Sequence, residues 1–226
     1  MRMRRKKHLD ERLAAVADWV YISDSEDRDF RSAVLQKDYL DLNHWFEKEQ
    51  PLYLEIGCGK GRFAVEYAKK HPEHNLLAVE KSANVIVDAA ETAAAEKLPN
   101  LRFLKCGAEY LERHLREKTV ERIFLNFSCP FPKKSYASHR LTAPGFLQIY
   151  KRLLKDGGDI HQKTDNRQLF EFSIEQMSGF GMAFRGVSLD LHHSDFPENI
   201  MTEYESRFVA LGQPIYRLEA YFPQQK

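Results

Sequence analysis

From Leu52 to the carboxy terminus, short apolar runs alternate with helix-forming segments, and this alternation restricts the possible folds more than any other feature. LYLEI (Leu52 to Ile56) reads as a strand and RFAVEYAKK (Arg62 to Lys70) as a helix; LLAVE (Leu76 to Glu80) and the alanine-rich SANVIVDAAETAAAEK (Ser82 to Lys97) repeat the pair. LRFLKC (Leu101 to Cys106) and RIFLN (Arg122 to Asn126) continue the strand series. GFLQIYKRLL (Gly145 to Leu154) predicts an amphipathic helix stopped by Gly157 and Gly158, and DIHQKT (Asp159 to Thr164) the next strand. A helix over NRQLFEFSIEQMSG follows, with Phe170, Phe172 and Phe180 read as helix core, and VSLDL and IYRLEAYF close the chain as antiparallel strands. Strands and helices in succession imply an α/β fold, a mostly parallel sheet with helices on both faces. Residues 1–50 lack the pattern: a basic start, an acidic run (Ser23 to Asp29) and an amphipathic stretch carrying Trp45 and Phe46. The expected organisation is therefore a basic arm, 1–50, and one domain, 51–226.

The segment EIGCGKG, Glu55 to Gly61, leaves the first of these strands and opens the first helix. Gly57, Gly59 and Gly61 let the backbone turn tightly and approach a ligand. Arg62 stands where a dinucleotide fingerprint needs its third glycine, and Lys60 is followed by Gly61 rather than by the Ser or Thr of a P-loop. The segment resembles the acidic glycine loop of S-adenosylmethionine-dependent methyltransferases; a purely structural glycine turn is the other reading. Glu80 ends the second strand, where a carboxylate can accept both hydroxyls of a ribose.

The loop NFSCPFPKK, Asn126 to Lys134, ends a strand and is twice interrupted by proline. Residues before proline avoid the α region, which predicts extended backbone at Cys129 and Phe131. Strand ends of open α/β sheets are where ligands sit. Lys133, Lys134, His139 and Arg140 follow as a basic patch, and Arg2, Arg4, Arg5, Lys6 and Lys7 form another at the start. A net charge of +1 means that any nucleic-acid binding uses such local patches rather than the field of the whole molecule.

NFSCPFPKK, LTAPGFLQIY, HQKTDN (His161 to Asn166), SLDLH (Ser188 to His192) and NIMTEYE (Asn199 to Glu205) occur in the order and spacing of bacterial tRNA (guanine-N7-)-methyltransferases of the TrmB type, which the chain resembles over essentially its whole length. The resemblance implies a Rossmann-like S-adenosylmethionine-dependent methyltransferase fold: a mostly parallel, seven-stranded sheet with antiparallel carboxy-terminal strands. It implies methyl transfer to N7 of a guanosine in the tRNA variable loop. S-adenosylmethionine would be held by Glu55, Gly57, Gly59, Gly61 and Glu80, and the guanosine by Lys133, Asp165, Thr202, Glu203, Tyr204 and Glu205. RNA would be contacted by Ser135, Tyr136, Ala137, Ser138, His139 and Arg140. Two family carboxylates are replaced: Gly107 stands at the position near the adenine, and Cys129 at the position of the loop's cofactor-binding and catalytic acid, where a neutral thiol would pack as a small apolar group. The alternative implied by those replacements is a tRNA- or cofactor-binding homologue with weak or lost turnover.

Other classes recede. No apolar run reaches the roughly 18 to 20 residues of a membrane span, and the basic start has no apolar signal core behind it. Cys58, Cys106 and Cys129 are odd in number and lack CxxC spacing, which fits neither a disulfide framework nor a zinc knuckle and suits a reducing cytoplasm. His71 and His74 have HxxH spacing without a third ligand in the pattern, so no metal is expected. His192 and His193 read as part of a turn. The expected protein is cytoplasmic, a monomer or homodimer, with tRNA as its partner.

Overall fold

A computed structural model describes residues 4–23 and 35–223. Arg2, residues 24–29 of the acidic run and the side chain of Glu203 lie outside what is described. The chain forms two compact units, Met1–Arg116 and Glu117–Lys226.

In the first unit, strands β1 (Val20–Ile22), β2 (Leu52–Ile56), β3 (Asn75–Glu80) and β4 (Leu101–Lys105) lie in the order β1-β4-β3-β2. Their pairings are parallel throughout: Leu52 sits opposite Asn75, Leu76 opposite Leu101, and Val20 opposite Phe103. Helices α1 (Leu9–Ala15), α2 (Leu42–Trp45), α3 (Arg62–Lys70), α4 (Ala83–Ala95) and α5 (Leu111–His114) accompany them. Strand residues Leu54, Leu76, Leu77 and Phe103 are wholly buried with Ile86, Val87, Ala89 and Ala90 of α4. The small alanines let that helix lie close to its neighbours.

The segment before Leu52 is more structured than its composition suggests, because α1 and β1 both arise from it. Lys6 donates from its backbone to Asn84 at 2.9 Å and pairs through Nζ with Asp88; Arg12 reaches Asp88 at 2.9 Å and Glu91 at 2.6 Å. Farther along, the Arg102 guanidinium lies 4.7 Å from the Trp19 ring centroid and 5.6 Å from that of Phe46, so a buried cation joins two aromatic rings. β1 is the strand beyond the seven expected, giving eight among the described residues.

In the second unit, β5 (Val120–Asn126), β6 (Leu154–Thr164), β7 (Ala183–Ser188) and β8 (Tyr216–Tyr221) lie in the order β5-β6-β8-β7. β5 and β6 are parallel, and β8 runs antiparallel to both β6 and β7. Helices α6 (Pro144–Leu153), α7 (Arg167–Gly179) and α8 (Glu203–Ala210) belong to this unit. Gly157 and Gly158 do not stop a helix. β6 starts at Leu154, directly after α6, and the glycines occupy an irregularity where Val120 opposes Leu154 but Arg122 opposes Asp159. Gly157 has φ of 86°, and a Cβ at Gly158 would lie 2.8 Å from the Glu121 carbonyl oxygen. A bulge explains them.

Candidate active site

In the first unit the carboxyl ends of β2, β3 and β4 bring the expected cofactor residues together. Gly57, Gly59 and Gly61 have φ of 82°, 58° and 77°, in the left-handed region that side chains disfavour. The loop is pinned to β3 by Gly57 N and Cys58 N, which both donate to the Val79 carbonyl at 2.8 and 3.0 Å. A Cβ at Gly57 or Gly59 would meet nothing within 4 Å, whereas one at Gly61 would lie 2.6 Å from Ala89 Cβ. Gly61 is thus a packing glycine under α4, and Gly57 and Gly59 expose bare backbone. Glu55 is buried, and Glu80 is half-buried, accepting from Ser82 N at 2.9 Å. Burial and the charges of Glu55 and Glu80 push the Cys58 thiol well above its usual range, so both carboxylates act on one spot beside the glycine loop.

Gly107 begins a single 3-10 turn, Ala108–Tyr110, just past β4. A Cβ there would lie 2.5 to 2.7 Å from the carboxylate atoms of Glu109. A carboxylate therefore lies beside position 107 although residue 107 carries none. The segment KCGAEY contains it, two residues late, and a position-by-position reading passes over it. Burial and the charge of Glu109 push the Cys106 thiol up to about 12, which keeps that group neutral.

In the second unit the loop after β5 carries Cys129 and Lys133, both exposed. Cys129 does not pack as an apolar group: the loop lifts its thiol into solvent. Phe131 is not extended either. Its φ is 42°, and Phe127 at the other end of the loop has φ of 50°. The loop joins a 3-10 helix, Lys134–His139, on which Ser135, Tyr136, Ser138 and His139 are exposed, while Ala137 and Arg140 are half-buried.

Asp165 follows β6 and is half-buried, with no side-chain hydrogen bond or ion pair among the described residues. Glu205 is the opposite case. It is wholly buried; Oε1 accepts from His192 Nε2 at 3.0 Å and Asn199 Nδ2 at 2.6 Å, and Oε2 from Lys163 Nζ at 2.8 Å and Thr202 N at 3.2 Å. A carboxylate has about four lone-pair sites, and all are taken. Thr202 caps α8 by accepting from Glu205 N at 3.0 Å, completing a reciprocal capping box. Tyr204, in the first turn of α8, is exposed. Lys163 also donates to Asn199 Oδ1 and the Ile200 carbonyl, at 2.9 and 2.8 Å. Lys163 and His192 thus hold this segment in place; both lie in motifs visible in the sequence, HQKTDN and SLDLH, although neither motif points to Glu205 as the partner.

Glu73 joins His71 and His74 in a group whose ligand atoms lie within 4.8 Å of one another. Their hydrogen bonds are local: His71 Nδ1 meets Glu73 at 3.2 Å and His74 Nδ1 meets the Tyr67 hydroxyl at 2.9 Å. Among the described residues no helix is long and apolar enough to cross a membrane.

Residues 49–218 match a family model described as "Putative methyltransferase". A tRNA (guanine-N(7)-)-methyltransferase of a Geobacillus species (strain WCH70) is 42% identical over 223 residues, covering 99% of this chain and 96% of that protein. The protein of the same name from Limosilactobacillus reuteri (strain DSM 20016) is 49% identical over 178 residues, 78% of this chain and 84% of the relative. This chain belongs to the tRNA (guanine-N7-)-methyltransferase family. The cofactor of this methyltransferase family is S-adenosylmethionine. The fold is shared with the 16S rRNA methyltransferase KamB, whose crystal structure superposes with a TM-score of 0.60 at 16% identity, covering 90% of this chain and 95% of that one.

Proposed function

We propose that this family member transfers a methyl group from S-adenosylmethionine to N7 of a guanosine in the variable loop of tRNA, in the cytoplasm. The observation that carries the reading is the contrast between committed and open groups: bare backbone at Gly57 and Gly59, and an uncommitted carboxylate at Asp165.

Guanine N7 has a free lone pair at neutral pH, so no residue must act as a base. The bound cofactor supplies an electrophilic methyl group on a positively charged sulfur. The protein's task is alignment, with the reacting atoms roughly 3 to 3.5 Å apart. Glu55 and Glu80 hold the cofactor, Glu80 through its ribose hydroxyls. The carboxylate of Glu109 serves where Gly107 offers none. Asp165 accepts N–H bonds from the base edge and stabilises the positive charge that the ring gains. Lys133 donates to a phosphate or to O6. The buried Glu205 shapes the segment Thr202 to Glu205 rather than reading the base while its partners remain in place. A base stacked in the tRNA core must be turned outward to reach these groups.

Incubating the protein with unmodified tRNA and labelled S-adenosylmethionine, then analysing nucleosides, tests the reading. The expected product is 7-methylguanosine, lost when the variable-loop guanosine is replaced. Cofactor binding without that product would favour the non-catalytic alternative. Cys129→Asp is the companion variant: the exposed thiol can be replaced without repacking, and the added acid should raise the rate about ten-fold, the scale of one hydrogen bond to a charged group. An unchanged rate would show that the thiol is no deficit.

A further inference from the structure

Arg140 closes the stretch expected to contact RNA, yet its guanidinium is turned onto the proline loop. Nε donates to the Pro130 carbonyl at 2.9 Å and Nη2 to the Phe131 carbonyl at 3.0 Å. The guanidinium carbon lies 4.4 Å from the centroid of Phe172, on α7. Phe172, expected in the helix core, is half-buried instead and forms a platform under a cation.

The loop needs such a restraint. Pro130 and Pro132 have no N–H, so two of its backbone donors are missing and it cannot close hydrogen-bonded turns at those positions. Phe127 and Phe131 hold left-handed φ values that residues with a Cβ adopt only when the surroundings enforce them. Two donors in one rigid plane, bonded to consecutive carbonyls, fix the two peptide planes on either side of Phe131. A lysine ammonium, a point charge on a flexible stem, does not reproduce that fork.

We propose that Arg140 is a positioning residue for methyl transfer: it clamps the loop that presents Cys129 and Lys133, and is not a phosphate contact. The proposal rests on the methyltransferase function proposed above. RNA contact from this stretch then falls to its exposed members, Ser135, Tyr136, Ser138 and His139.

Arg140→Lys separates the two roles, because it keeps the charge and loses the fork. Three quantities are measured on wild type and variant: turnover at saturating tRNA, the salt dependence of tRNA affinity, and backbone amide exchange along the chain. The clamp predicts kcat about ten-fold lower, an unchanged salt slope, and faster exchange confined to the amides of residues 127–133. Exchange elsewhere at the wild-type rate shows that the variant is folded. Arg140→Ala should give the same split and an unchanged slope, whereas removing a phosphate contact lowers the slope by about one. A lowered slope in Arg140→Ala, an unchanged kcat in Arg140→Lys, or unchanged loop exchange would each overturn the proposal. If the wild type forms no 7-methylguanosine, the methyl-transfer reading fails and the positioning role with it. Loop exchange then decides by itself whether the clamp exists.

Discussion

At position 107 the absence of a side chain and the presence of Glu109 are one arrangement. Glu109 folds back so that its carboxylate occupies the space a Cβ at 107 would take, at 2.5 to 2.7 Å. A chain with an acid at 107 cannot also hold Glu109 there, so the two positions are alternative sources of one carboxylate. Glu109→Ala should weaken S-adenosylmethionine binding about ten-fold, the scale of one charged hydrogen bond. Adding Gly107→Asp to that variant should restore most of the affinity, which titration calorimetry measures directly. Equal affinity for wild type and Glu109→Ala would remove Glu109 from the cofactor site. Cys129 is exposed, so an acid can replace it without repacking.

At the scale of elements, the segment from Leu191 to α8 is held by Lys163 on β6. The lysine is nearly buried and Glu205 wholly so, so removing one of them strands a charge. Lys163→Met should cost about 3 to 5 kcal/mol in urea unfolding. Glu205→Gln added to Lys163→Met should recover part of that loss, because no buried charge is then left unpaired. A loss under about 1 kcal/mol for Lys163→Met would mean that solvent reaches the pair. The same contrast explains what could be read from the residues. Strand β2 and helix α3 match the predicted bounds, since a continuous apolar run and a 3.6-residue period are local signals. The tight turns at Gly57 and Gly59 were legible for a similar reason, as their motif is contiguous. The commitment of Glu205 was not, because its partners come from residues 163, 192 and 199 and only folding brings them together. The hydrogen bonds of Arg140 were not legible either, because the position of the carbonyls it serves depends on the φ values of a proline loop. Gly157 and Gly158 were misread because a bulge and a helix stop use the same residue.

Over the whole molecule, each unit has a histidine, buried in the first and nearly so in the second, whose pKa burial lowers. In the first, burial lowers the His114 pKa, outweighing its contacts with the Asp38 carbonyl and carboxylate; the ring also meets the Ser23 hydroxyl at 2.8 Å. In the second, burial lowers the His161 pKa despite the nearby Asp159 carboxylate. A group with a lowered folded pKa binds more protons when unfolded, so acid favours unfolding once pH drops below the ordinary histidine value near 6.5. Asp159 works over a lower range. Burial opposes its ionisation, but His161 and the bidentate Arg122 outweigh that and bring its carboxyl down to about 2. Its contribution, on the order of 2 kcal/mol, is present above the ordinary aspartate range and is lost as pH falls toward 2. Urea midpoints should therefore fall between pH 7 and 5 and fall again below pH 4. His114→Gln and His161→Gln should each flatten the first decline, by removing a ring that must be charged in the unfolded chain; His114→Gln should leave the second in place, whereas His161→Gln removes a partner of Asp159 and should shrink it. A first decline of equal size in both variants would trace it to other groups. Replacing Asp159 by Asn should do the reverse, lowering stability at pH 7 while removing its share of the loss below pH 4.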